Sequence, residues 1–195
     1  MKPVILETYR LKLTGLSPVD ITYIFKNHSK AEIKTILGHR SEEDYLKEES
    51  KCRTGYACYN RSFKLFLITD KASGSIIGRC GIHNWNTEHR RAEIGYHMQD
   101  EDYKRKGLMT EAMGTVIEYG FNTLDLHRIE ALVGSGNIPS LRLMGKYKFT
   151  REGVLRQHYY INEQYHDSVL FSLLRNEYIR MLITSKPQMS LPLLK

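Results

Sequence analysis

From Leu108 to Phe121 apolar residues recur in pairs every four positions: Leu108/Met109, Ala112/Met113, Val116/Ile117 and Gly120/Phe121. This spacing marks an amphipathic helix with a broad buried stripe, and it predicts a helix from about Leu108 to Leu124. Directly before it stands Lys104-Arg105-Lys106-Gly107, and before that a strand-like run, Ala92–Met98. The first N–H groups of a helix lack internal partners and the helix dipole favours negative charge there. Strand, basic turn and helix in that order therefore make a ready anion site, and three basic side chains suit a ligand with several phosphates. A solvated basic loop is the competing reading of such a run taken alone.

A chain of 195 residues that is 41% hydrophobic has material for one well-buried core. A single domain is expected over residues 1–178, with a tail, 179–195, that shows no clear period and whose role is open. The net charge of +7 favours anionic partners such as a phosphorylated cofactor, nucleic acid or a ribosome surface. The basic residues are spread along the chain and no RRM-like stacking signature accompanies them, so direct nucleic-acid binding is not expected. Cys52, Cys58 and Cys80 are odd in number and contain no CxxC pair, which argues against a disulfide framework and fits a reducing compartment. No apolar run approaches the ~20 residues that span a bilayer, and Met1-Lys2-Pro3 does not open a signal-peptide core. A cytoplasmic protein without a membrane partner, monomeric or homodimeric, is expected.

Along the chain, Val4–Leu13 alternates as a strand. Ser17-Pro18 starts a helix to about Asn27, and Ser41-Glu42-Glu43-Asp44 opens another reaching toward Tyr59. Phe63–Asp70 and Ser75–Asn84 form a hairpin across Lys71-Ala72-Ser73-Gly74, and Arg91–Gln99 leads into the basic turn. After the long helix come a strand at Arg128–Gly134, a short helix from Asn137-Ile138-Pro139-Ser140 through Tyr147, and a final hairpin, Phe149–Tyr160 with Gln164–Leu174. The order is β-α-α-β-β-β-α-β-α-β-β.

This order resembles the GNAT N-acetyltransferase superfamily. Five stretches also resemble its Rim-type branch, the ribosomal-protein N-terminal acetyltransferases. They are Ala92-Glu93-Ile94-Gly95-Tyr96, Gly107-Leu108-Met109-Thr110-Glu111-Ala112, Asn137 with Ser140, Phe149 followed by Glu152-Gly153-Val154-Leu155-Arg156, and His166-Asp167-Ser168-Val169-Leu170. They lie in the family's order between about Leu6 and Tyr178. The resemblance implies an α+β fold, an α/β three-layer sandwich. Its mixed, mostly antiparallel central sheet would have about seven strands, splayed between the fourth and fifth and flanked by helices. It also implies acetyl-CoA as cosubstrate. The family's motif, Gln/Arg-x-x-Gly-x-Gly/Ala, falls on Lys104-Arg105-Lys106-Gly107-Leu108-Met109, where Lys104 and Met109 depart from it. Pyrophosphate is held mainly by backbone N–H groups, which any residue supplies if the turn forms, and Gly107 lets the backbone approach closely. Lys104, Arg105, Lys106, Gly107, Leu108, Met109 and Thr110 are the implied phosphate cradle. The backbone of His97, Met98 and Gln99 is the implied contact for pantetheine, and Asn137 would hydrogen-bond that arm or simply cap a turn.

Acetyl transfer to an amine needs a neutral nucleophile, a stabilised thioester oxygen and a proton for the leaving thiolate. Glu93 matches the strand position of a catalytic Glu in several relatives and would act through water. A structural Glu paired with Arg90 or Arg91 is the alternative. Strand alternation puts Glu93, Gly95, His97 and Gln99 on one face. Ser140 matches the Rim-type Ser near the cofactor sulfur. Many relatives carry a Tyr where this chain has Met144, which leaves Tyr147 as a distant reserve, while a capping Ser is the simpler role for Ser140. His166-Asp167-Ser168 spells triad residue types, but neighbours on a strand face opposite ways and cannot form a relay. The histidines lack HxH or HExxH spacing, so no metal is expected. Trp85, Tyr159, Tyr160 and Tyr165 either line a peptide groove or serve as core and rim aromatics. The leading acceptor is the α-amine of a protein N-terminus, ribosomal in character. A small amine such as a polyamine or aminoglycoside is the alternative, and a non-catalytic CoA- or ribosome-binding module a third.

Overall fold

Three consecutive helices on one face of a sheet each begin with a reciprocal serine–carboxylate cap. In the computed structural model, which describes residues 3–56 and 62–185, these are α1 (Pro18–Asn27), α2 (Lys30–Leu37) and α3 (Glu42–Thr54). Their caps pair Ser17 with Asp20, Ser29 with Glu32 and Ser41 with Asp44. Each cap satisfies two N–H groups that would otherwise lack partners. Gly38 ends α2 at φ 67°, a left-handed conformation that favours glycine. α2 was not expected from the sequence, and the part of the second helical run beyond Tyr56 lies outside the described residues.

The strands are β1 (Val4–Glu7), β2 (Leu11–Leu16), β3 (Ser62–Asp70), β4 (Ile76–Asn86), β5 (Arg91–Met98), β6 (Arg128–Gly134), β7 (Thr150–Ile161) and β8 (Gln164–Leu174). They form one sheet of eight in the order β1-β2-β3-β4-β5-β6-β8-β7. Every neighbouring pair is antiparallel except β5 and β6. The expected single strand Val4–Leu13 is instead a hairpin, because the Thr8 hydroxyl and N–H both bond Leu11 and turn the chain. The mixed, mostly antiparallel sheet flanked by helices is otherwise the expected architecture.

Alternation along β3 feeds two cores. Phe66 and Ile68 join Ile94, Val116, Phe121 and Met144 beneath α4 (Leu108–Asn122), α5 (Ile138–Lys146) and α6 (Arg175–Ser185). Leu67 joins Ile21, Ile24, Ile33 and Leu37 under α1–α3. α6 crosses the expected domain end at 178. Tyr178 on it is buried and stacks on Phe121 with centroids 4.9 Å apart, and Met181 also packs against the main core.

Candidate active site

β5 and β6 pair over only three residues, Arg91–Glu93 with Arg128–Glu130. β6 then follows β8 along its whole length, while β5 stays with β4 as far as Met98. The two strands part, and a cleft of about 540 Å³ opens between them. Tyr96, His97 and Met98 line one wall, Asn137, Pro139 and Ser140 the other, and the turn before α4 closes the end.

That turn is a backbone cradle. Arg105 at φ 60° and Gly107 at φ 76° are both left-handed, the alternation that turns successive N–H groups to one side. Gly107 is the N-cap of α4 and provides no side-chain cap, so the first N–H groups of the helix are left to an external anion. The turn is braced from β2's side of the sheet. Glu111 accepts from the Thr8 hydroxyl (2.5 Å), the Arg10 N–H (2.8 Å) and Arg10 Nε (2.7 Å), and Arg10 also donates to the Lys106 carbonyl (2.9 Å). Burial pushes the Glu111 carboxyl upward, but the Thr8 and Arg10 hydrogen bonds outweigh it and hold it below the usual carboxylate range. Of the expected basic trio, Lys104 and Arg105 line the cleft and Lys106 does not. Lys104 pairs with Glu101. Met109 lines the cleft, and its side chain packs against the main core, which accommodates a large residue where the motif has a small one.

On the opposite wall Asn137 caps α5 by accepting from the Ser140 N–H at 3.2 Å. Because Asn137 holds the cap, Ser140 is not the capping residue. Ser140 faces the buried Tyr96 phenol oxygen closely enough to interact with it, short of full hydrogen-bond geometry. Met144 is fully buried in the core. Tyr147 donates its hydroxyl to the Thr110 carbonyl, tying α5 to α4, and burial pushes its phenol up to about 12. Gln99, expected alongside His97 and Met98, lies off the cleft. Its N–H donates to the Ile77 carbonyl and its side-chain amide to the Gly38 carbonyl.

Glu93 meets neither Arg90 nor Arg91, which pair with Asp125 and Glu130. Its carboxylate, 15% exposed, lies 3.1 Å from His83 Nε2 and accepts from Asn84 at 3.0 Å. The register pairs His83 with Glu93 directly. A Cβ on Gly95 would come within 2.7 Å of the His83 ring, so glycine there is what lets the imidazole lie over the strand. Burial raises the Glu93 carboxyl, yet the hydrogen bond and charge of His83, with the Asn84 amide, leave it below the ordinary value. His158 adds a further lowering charge and is held at 2.8 Å by the buried Ser168 hydroxyl. Asp167 meanwhile accepts from the Gln157 N–H. Sequence reasoning did not find His83, Asn84 or His158; only cross-strand register carries that signal.

The family model for the acetyltransferase (GNAT) domain matches residues 10–150, which include the β5 wall, the cradle and α5. The chain belongs to the GNAT acetyltransferase family. It is similar to the uncharacterised N-acetyltransferase YoaA of Bacillus subtilis, 36% identical over 88% of this chain and 97% of that protein. The spermidine N(1)-acetyltransferase of Escherichia coli is 26% identical over 89% of this chain and 90% of its own length. "Putative ribosomal N-acetyltransferase YdaF" of Bacillus subtilis is 36% identical, over 54% of this chain and 57% of that protein. A solved structure described as a probable acetyltransferase superposes with a TM-score of 0.66 at 26% identity, covering 89% of this chain and 98% of that one.

As a GNAT acetyltransferase the chain transfers an acetyl group from acetyl-CoA to an amine, and the family evidence does not confine it to the Rim-type branch. The cradle suits that donor: an uncapped helix start for phosphates and a β5 edge without a strand partner beyond Glu93 for the pantetheine amides. Among the described residues no group of three or more His, Cys, Asp or Glu is arranged to hold a metal, and no helix is long and apolar enough to cross a membrane.

Proposed function

We propose that this acetyltransferase acts on the primary amine of a small polycationic acceptor of the polyamine class. The observation that carries the reading is the ionised Glu93 carboxylate with His83, Asn84 and His158 around it, at the throat of the splay. A carboxylate held below its usual range stays charged at neutral pH and attracts an ammonium group to the point of transfer. The spermidine acetyltransferase supports the same acceptor class, because it matches over nine-tenths of its length where YdaF matches over little more than half.

Acetyl-CoA supplies the acetyl group as a thioester. The N–H groups of Leu108, Met109 and Thr110 hold its phosphates, with Lys104 and Arg105 as electrostatic support. The backbone of His97 and Met98 aligns its arm, and Asn137 lies beside that path. Glu93 and His83 form a proton-accepting pair for the amine, directly or through a water. His83 is the better immediate acceptor, since a carboxylate of depressed pKa is a weak base. Ser140, on the cleft wall, gives the thiolate its proton.

A protein N-terminus is the second reading, favoured by the hairpin of β7 and β8. There the rings of Tyr160 and Tyr165 lie 4.9 Å apart, tilted at 49°, and both side chains are exposed, as is Tyr159; Trp85, by contrast, packs against the main core. Acetyl-CoA turnover with spermidine, spermine and a set of N-terminal peptides decides between them. Polyamine kcat/KM should exceed the best peptide by about tenfold or more, a difference of about 1.4 kcal/mol in transition-state binding. A peptide preference assigns the acceptor to protein N-termini instead.

A further inference from the structure

A second cavity, of about 420 Å³, lies beyond the far end of β5, between the start of α3 and the loop that follows α2. His97 alone borders both it and the acetyl-CoA cleft. Two buried polar groups in its lining have no partner. His39 is 8% exposed, and neither ring nitrogen makes a hydrogen bond. Its backbone is fixed by donation to the Lys34 carbonyl at 2.8 Å, and its ring stands edge-on to Tyr45. Gln99 is oriented by its bond to the Gly38 carbonyl, which leaves its side-chain oxygen buried and unmatched. Burial, reinforced by the Arg79 charge, keeps His39 below the usual histidine range, so it is neutral and offers one donor and one acceptor.

Buried polar atoms without partners are destabilising and uncommon. A phenylalanine at position 39 would fill the same space without that loss. The charges around the pair are unequal. Arg40, Lys47, Lys51 and Arg79 border the cavity against Asp44 and Glu48, with Arg40 paired to Asp100 and Lys47 to Glu43. Both carboxylates are already engaged: Asp44 caps α3 through the Arg40 and Ser41 N–H groups, and Glu48 accepts from Tyr56 and faces Arg79. Lys51 is exposed and has no ion pair among the described residues.

We propose that this cavity is a second small-molecule site, for an oxyanion that also carries a hydroxyl group, either a phosphate monoester or a carboxylate. The hydroxyl accepts from the His39 N–H and donates to the Gln99 oxygen, which satisfies two of the three unmatched atoms. The oxyanion faces Arg79 and Lys51. Lys51, without an ion pair among the described residues, disfavours a polyamine here, and the site is distinct from the acceptor position at Glu93.

Calorimetry on the full chain tests this, with CoA held saturating so that the cleft is filled. The probes are glycerol 3-phosphate and glycerate, with glycerol and spermidine as controls. At least one oxyanion should bind with Kd of about 1 mM or tighter, and the tighter of the two identifies the source as phosphate or carboxylate. Glycerol should give no heat, and spermidine, which the acceptor position takes up, should leave the His39 resonances and the oxyanion affinity unchanged. His39→Phe should weaken the oxyanion by about tenfold or more while Tm holds or rises, and Lys51→Ala should weaken it about threefold. The imidazole nitrogen resonances of unsubstituted His39 should shift on titration, which checks the contact even if His39→Phe does not fold. Absence of binding by both oxyanions at about 10 mM, ten times a millimolar Kd, overturns the proposal. Unmoved His39 resonances, or wild-type affinity in His39→Phe, overturn it equally.

Discussion

On the donor side of the splay, Leu108, Met109 and Thr110 present main-chain N–H groups, and the side chains of Thr8, Arg10 and Glu111 serve only to hold the turn in place. On the proposed acceptor side the groups brought together are side chains, Glu93, His83, Asn84 and His158, projected from three strands and set by register. A main-chain site tolerates substitution: Lys104 and Met109 stand where the family motif has other residues, and the left-handed pair Arg105 and Gly107 still shapes the turn. A side-chain site tolerates little, because one displaced ring removes both a hydrogen bond and a charge.

The largest expected effect breaks the acceptor wall alone. Glu93→Gln should lower kcat by about a hundredfold, within the range for loss of general acid–base help, and leave the KM for acetyl-CoA unchanged. A parallel rise in that KM would show that the walls are not independent. Next, Gly95→Ala should cost about tenfold in kcat, since the added methyl would sit 2.7 Å from the His83 ring and a misplaced group loses orientation. Circular dichroism melting should register little change.

Glu111→Gln sharpens the other side. It should raise the KM for acetyl-CoA several-fold at nearly constant kcat, and destabilise by about 2 kcal/mol, a Tm fall of roughly 4–8 °C. The pH dependence has a definite sign. The folded Glu111 pKa lies below the ordinary 4.5, so its contribution is complete above that value and is lost as pH falls through the lowered one. Wild type and Glu111→Gln should converge in Tm on acidification below about 4.5. Smallest of all, Tyr147→Phe should cost about 1 kcal/mol through the lost bond to Thr110 and leave kcat within about twofold, which separates a structural tyrosine from an acid catalyst.

Most strands and four of the six helices among the described residues were legible because their signals are local: alternation in β3 to β5, the four-residue stripe in α4, Ser17-Pro18 and Ser41 at helix starts. α2 carried an equally local signal, Ser29 with Glu32, then Ile33 and Leu37 on one face and Gly38 at the end. The Thr8–Arg10 turn was hidden because Thr and Tyr keep a strand-like pattern going and no Gly, Pro or Asn interrupts it. α6 was hidden because Tyr178 and Met181 gain their meaning only on meeting the main core. Asn137 and Ser140 each had two readings from their types alone. The cap by Asn137 resolves one of them, and it does so through a bond three residues long.

By itself the sequence determined the long helix, its glycine start, the strands around it and so the class of ligand its N-terminus suits, since each depends on neighbours within a few residues. Only the tertiary structure decided that Glu93 faces His83 and Asn84 instead of Arg90 or Arg91, that Arg10 and Glu111 brace the cradle, and that His39 and Gln99 line a separate cavity. Those pairs stand 10, 101 and 60 positions apart. Their meeting depends on sheet register and on which helices cover which face, and cooperative packing sets both.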